Sequence, residues 1–163
     1  MQRMAIVLGV TLTLMPGVAP EALAQARPDF SGTWRLNVAK SNPNVAGNTP
    51  NIPFPSQIVV KQTPTDISVE STSVRQQPVS AVYKLDGSKV TVQVPQGISE
   101  TGEAKLDGGN LSISSHRSFS SPAGDVDVEF KEVWSVSGSV LTIQKTRMQS
   151  GDSTTEKAVY DKL

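Results

Sequence analysis

Cysteine is absent from this chain of 163 residues, and histidine occurs once. Without thiols there is no disulfide, thiolate metal site, cysteine nucleophile or lipid-modified N-terminal cysteine. Excess charge of one sign is missing too. Fifteen Lys and Arg balance fifteen Asp and Glu, which is not the basic footprint of a nucleic-acid binder. Long apolar runs are confined to the beginning. Arg3 gives a positive start, Ala5 to Leu14 is almost wholly apolar, and Ala24-Gln25-Ala26 is a small-x-small site. Those three parts in that order predict a secretory signal peptide over 1–26, cleaved after Ala26. The apolar run is too short to span ~30 Å of hydrocarbon, and no later segment is apolar enough to serve as an integral membrane segment. The expectation is a single domain over 27–163, exported to the periplasm or the extracellular space, monomeric and without a cofactor.

What is present is β-structure. In Asp29-Phe30-Ser31-Gly32-Thr33-Trp34-Arg35-Leu36-Asn37-Val38, the even positions Phe30, Gly32, Trp34, Leu36 and Val38 fall on one side of an extended chain. Ser31, Thr33, Arg35 and Asn37 fall on the other, the alternation of a strand with one face in a core. The Trp34 ring would bury about 150–250 Å². The connection from Lys40 to Ser56 is rich in Pro and Asn and cannot be a regular helix.

Beyond it, short β-prone runs alternate with turn signals: 57–62, 66–73, 79–85, 89–94, 99–106, 110–119, 125–136, 140–148 and 154–162. With the first strand these make ten, and no convincing helix lies among them. Tight connections such as Asp86-Gly87-Ser88 and Asp107-Gly108-Gly109 suit hairpin turns. Longer or proline-containing ones at 39–56, 74–78, 95–98, 120–124 and 149–153 alternate with them. In an up-and-down meander this puts tight turns at one end and looser loops at the other. An even strand count lets the last strand pair with the first and leave no free edge. The expected fold is an all-β, ten-stranded antiparallel up-and-down β-barrel.

Gly32-Thr33-Trp34, preceded by Phe30, resembles the Gly-x-Trp signature on the first strand of lipocalins and fatty-acid-binding proteins. The longer run from Asp29 to Asn37, followed by Lys40-Ser41, is similar to small exported bacterial lipocalin-like proteins of the calycin type. Glu132-x-Trp134 followed by Leu141-Thr142-Ile143 is similar to their penultimate hairpin. The resemblance implies a barrel, and departures limit what else it implies. Fatty-acid-binding proteins carry two lid helices where this chain is proline-rich, so a barrel without lid helices is expected. Their Arg-x-Tyr carboxylate clamp is missing from Lys157-Ala158-Val159-Tyr160. Only lysines on that strand could replace the arginine that lipocalins lay over the signature tryptophan. Fold carries over; ligand class does not.

Parity supplies the candidate site. In 125–136 the face holding Val126, Val128, Phe130, Glu132, Trp134 and Val136 must point inward, because Asp125, Asp127, Glu129 and Lys131 lie opposite. A two-residue turn at Gly138-Ser139 sets Trp134 against Ile143, Glu132 against Lys145 and Phe130 against Arg147. An inward carboxylate needs a partner, and Lys145 is the natural one for Glu132. The same reasoning turns Arg117 inward on 110–119, and Tyr83 inward with Val79, Ala81 and Leu85.

A cavity apolar at depth and cationic at its mouth, lined by Tyr83, Arg117, Glu132, Trp134, Lys145 and Arg147, would bind a small hydrophobic, amphipathic or weakly anionic molecule. Two competing readings stay open. A β-bulge after Ile143 would turn Lys145 and Arg147 to solvent and bring Gln144 and Thr146 inward. A filled barrel would hold a structural ion pair only, making the chain a structural or protein-interaction module.

Catalytic signals are poor. His116 shares parity with Ser112, Ser114 and Ser118 and falls on the solvent face. Gly151-Asp152-Ser153 sits in a late hairpin connection, where it reads as a turn and not as a nucleophile block. No cluster has metal-ligand spacing. The chain is expected not to be an enzyme.

Overall fold

A computed structural model describes residues 27–42, 54–73, 76–94 and 98–163. Residues 1–26, expected to be a leader, and most of the proline-rich connection lie outside the described residues. Ten strands form one antiparallel sheet: β1 (Gly32–Leu36), β2 (Gln57–Gln62), β3 (Asp66–Ser73), β4 (Gln76–Lys84), β5 (Val90–Thr91), β6 (Ile98–Asp107), β7 (Asn110–Ser121), β8 (Gly124–Ser137), β9 (Val140–Gln149) and β10 (Asp152–Lys162). The only helical piece among them is a 3-10 turn, Val38–Lys40. The buried side chains form one core running from Phe30 and Trp34 to Ile143 and Tyr160. Val38, expected on the core face of the first strand, is 49% exposed instead, because β1 ends at Leu36 and the chain turns into the 3-10 piece there.

The sheet order β4-β3-β2-β1-β10-β9-β8-β7-β6-β5 brings the first strand beside the last, with Trp34 opposite Lys162 and Leu36 opposite Tyr160. The barrel is nearly closed. A free edge remains, contrary to the expectation of none, because β4 and β5 do not pair. The run expected over 89–94 shrinks to Val90–Thr91, paired only with β6. Without a partner on its other side, it gains no second row of hydrogen bonds to extend it. Three contacts narrow the seam. Asp86 bridges to Lys105, the Gly87 N–H donates to the Ala104 carbonyl at 3.0 Å, and the Tyr83 ring lies on Gly102. A Cβ at Gly102 would sit 2.7 Å from Tyr83 Cε1, so only glycine lets the ring lie there without displacement.

The other half of the sheet is longer than expected. The connections at 120–124 and 149–153 are tight turns, because β7 to β10 continue their pairing to Ser121–Gly124 and Gln149–Asp152. Ser150 and Gly151 both adopt positive φ, 52° and 88°, as a two-residue hairpin of the inverted type requires. The β8–β9 register runs unbroken from Glu129–Met148 to Ser137–Val140, so no bulge follows Ile143.

Candidate functional site

The end carrying the turns after β2, β6 and β8 is the barrel floor. Trp34 is fully buried there, its indole N–H donating to the Phe30 carbonyl at 2.9 Å. Phe30 meets the Trp134 ring edge-on at 6.4 Å, and Leu111, Leu141 and Ile143 fill the remaining space. Lys162 closes the floor from β10, its Nζ 5.2 Å from the centre of the Trp34 ring. Gly32 makes room for the stem of that lysine: a Cβ there would lie 2.6 Å from Lys162 Cε. The Gly-x-Trp pair is thus a seat for a lysine on the last strand.

The polar residues of the same motif tie the strand end down. Asn37 donates to Asp161 at 2.6 Å, Lys40 lies 3.0 Å from it, and the Ser41 hydroxyl accepts the Val159 N–H at 2.9 Å. The bonds from Asn37 and Lys40 hold the Asp161 carboxyl below its ordinary pKa.

Above the floor lies an interior cavity of about 180 Å³. Ile58, Ile113, Ile143 and Trp134 line its depth, and Tyr83, Glu100, Arg117, Phe130, Glu132 and Lys145 ring its waist. Glu132 is bound twice: Lys145 Nζ lies 2.9 Å from Oε1, and the Trp134 indole N–H donates to Oε2 at 2.7 Å. Arg117 gives two N–H groups to one oxygen of Glu100, at 2.7 Å from Nε and 2.5 Å from Nη2. Phe130 stands between the two cations, with Lys145 Nζ at 4.8 Å and the Arg117 guanidinium at 5.6 Å from its ring centre. Burial, reinforced by the nearby Glu132 and Glu100 carboxylates, pushes the Tyr83 phenol well above its ordinary pKa.

Five of the six expected residues, Tyr83, Arg117, Glu132, Trp134 and Lys145, border this cavity. Arg147 does not. It lies opposite Phe130 across the ladder, but its guanidinium turns along its own strand to the Gln149 side chain. The expected cationic mouth is also corrected. Arg117 is neutralised by Glu100, the buried acidic residue that the sequence reading missed. Alternation along β6 carries its signal, since Ile98, Glu100, Gly102, Ala104 and Leu106 share one face. Among the described lining residues, two carboxylates therefore balance two cations.

Elsewhere, His116 is exposed and 3.3 Å from Asp127, while Ser153 pairs with Met148 on a different ladder. Among the described residues, no three His, Asp or Glu side chains converge to hold a metal ion, and no helix is long and apolar enough to cross a membrane.

No protein-family model matches the chain, and no curated protein does. The chain is similar in structure to the zebrafish ileal bile acid-binding protein complexed with cholic acid, with a TM-score of 0.58 over 82% of this chain and 98% of that one. At 15% identity the likeness is one of fold: a nearly closed ten-stranded barrel of the fatty-acid-binding and lipocalin-like kind.

Proposed function

We propose that this chain is an exported, monomeric, non-catalytic barrel that binds a small amphipathic molecule in its interior. The observation that carries the reading is the cavity of about 180 Å³, apolar at its floor and polar at its waist. A filled structural barrel would close that space, because interiors pack to crystal-like density. The similar zebrafish protein, complexed with cholic acid, supports an interior site in this architecture. Export rests on the three-part pattern of 1–26, which predicts a mature N-terminus at Arg27.

Native mass spectrometry of the protein recovered from its export compartment tests the reading. The expected result is a mass above that of 27–163 that collapses to it on gentle activation. In parallel, tryptophan emission should respond saturably to small aromatic alcohols. A chain that carries nothing and shows no saturable response to any of them is the structural module instead.

A further inference from the structure

The waist contains a carboxylate that the barrel does not need for closure. Glu100 is 7% exposed and places one oxygen against two N–H groups of Arg117. Burying an ion this deeply is costly unless it is paired, and the pair recovers little net stability over an apolar equivalent. Its effect on a guest is larger. Without Glu100, Arg117 would offer an unpaired guanidinium to whatever entered, and such a group binds carboxylates tightly. With Glu100 in place, both cations at the waist already have anionic partners, since Lys145 is held by Glu132. An anionic guest must then lose its hydration, break the Arg117–Glu100 contact and leave Glu100 buried beside a second negative charge. A cationic guest faces the same problem with Arg117 and Lys145.

We infer that Glu100 is a specificity-determining residue that makes the interior selective for an uncharged guest. This rests on the ligand-binding reading above. The guest fits in the space of about one aromatic ring with a short hydroxyl- or amide-bearing arm. A dry cavity of ~150 Å³ holds benzene, and this one is about 180 Å³. The ring would lie over the Ile58, Ile113 and Ile143 side, near Trp134. The arm would reach toward Ser71 and Ser115, which also line the cavity.

The test is a titration of the purified protein, followed by amide NMR shifts and tryptophan emission, with three compounds of the same skeleton: benzyl alcohol, benzoate and benzylammonium. Benzyl alcohol is expected to bind at least about tenfold more tightly than either ion. In Glu100→Gln, benzoate should gain about tenfold or more while benzyl alcohol changes less than about threefold. Tighter binding of benzoate or benzylammonium than of the alcohol by the unmodified protein overturns the inference and leaves the ligand-binding reading standing. So does a Glu100→Gln variant, folded by its NMR spectrum, in which the alcohol-to-benzoate ratio is unchanged. If Glu100→Gln does not fold, the order of the three compounds on the unmodified protein still decides. Binding of none of the three overturns this inference, and the reading beneath it is then decided by the native mass measurement.

Discussion

The floor and the waist of this barrel are built on opposite terms. At the floor, Trp34, Phe30, Leu111 and Leu141 are fully buried, and the one indole N–H of Trp34 is satisfied by a backbone carbonyl four residues away. At the waist, six residues along β7 from Leu111 and four along β9 from Leu141, four charged side chains line a cavity and satisfy one another. The floor draws stability from apolar area, which any truncation loses. The waist holds balanced charges, where losing one member costs more than losing a pair. Stability should therefore be concentrated below and selectivity above.

The largest effect needs no mutation. The two tyrosines, Tyr83 and Tyr160, are buried, and both phenols are held above their ordinary pKa. A raised native pKa means that the unfolded chain releases these protons first. The stability they contribute is whole below about pH 10 and is lost as pH climbs beyond it. Tyrosinate absorbance should therefore appear together with loss of the β-sheet circular dichroism, in a single transition. A separate earlier step for one tyrosine would mean that water reaches the Tyr83 hydroxyl at the waist, and the contrast between floor and waist would sharpen.

Next is Trp34→Ala, which should cost about 3–5 kcal/mol in urea unfolding, a large share of a small domain's stability. Lys145→Met should cost less, about 1–3 kcal/mol, because the Glu132 carboxylate left behind is only partly shielded from water. The double change Glu132→Gln with Lys145→Met keeps an acceptor for the Trp134 indole and should return to within about 1 kcal/mol of the parent. If the double variant is as unstable as the sum of its parts, the waist is a structural clamp like the floor and the comparison breaks.

These differences bear on what the residue pattern could reveal. Strand parity and the turn at 138–139 together placed Glu132 opposite Lys145 and Trp134 opposite Ile143, because the outward face of β8 is polar apart from Val133 and the turn fixes the offset. The extent of β7 to β10 was underestimated at the far end, since Pro122 and Gly151 look like loop residues until the pairing of their flanks is known. The seam between β4 and β5 was invisible for a related reason: whether Val90 to Val94 extends as a strand depends on a partner distant in the chain, and β4 does not supply it. Glu100 was legible but overlooked. Gly102 and Ala104 on the same face dilute the apolar signal, so the face does not announce itself as buried. The lysine above Trp34 was expected only as one of several; the β1–β10 register selects Lys162.

Smaller effects test the seam and the lid of the floor. Gly102→Ala drives a methyl group into the Tyr83 ring and should cost about 1–2 kcal/mol, with much of that loss absent when Tyr83 is first changed to Leu. Equal cost in both backgrounds would place the strain elsewhere in β6.

The smallest effect expected is at Lys162. Its ammonium lies over Trp34 in a largely exposed position, so Lys162→Ala should cost only about 0.5–1 kcal/mol in urea unfolding. The stem passes through the space that Gly32 leaves open, and an arginine following the same path would bring a planar head that stacks on an indole better than an ammonium does. Lys162→Arg should therefore match or slightly exceed the parent. If alanine and arginine are equally harmless, the cation contributes nothing and the floor is held by apolar burial alone. If arginine is the more damaging of the two, the space beside Gly32 is fitted to a lysine stem, and the Gly-x-Trp pair is a steric seat before it is an electrostatic one.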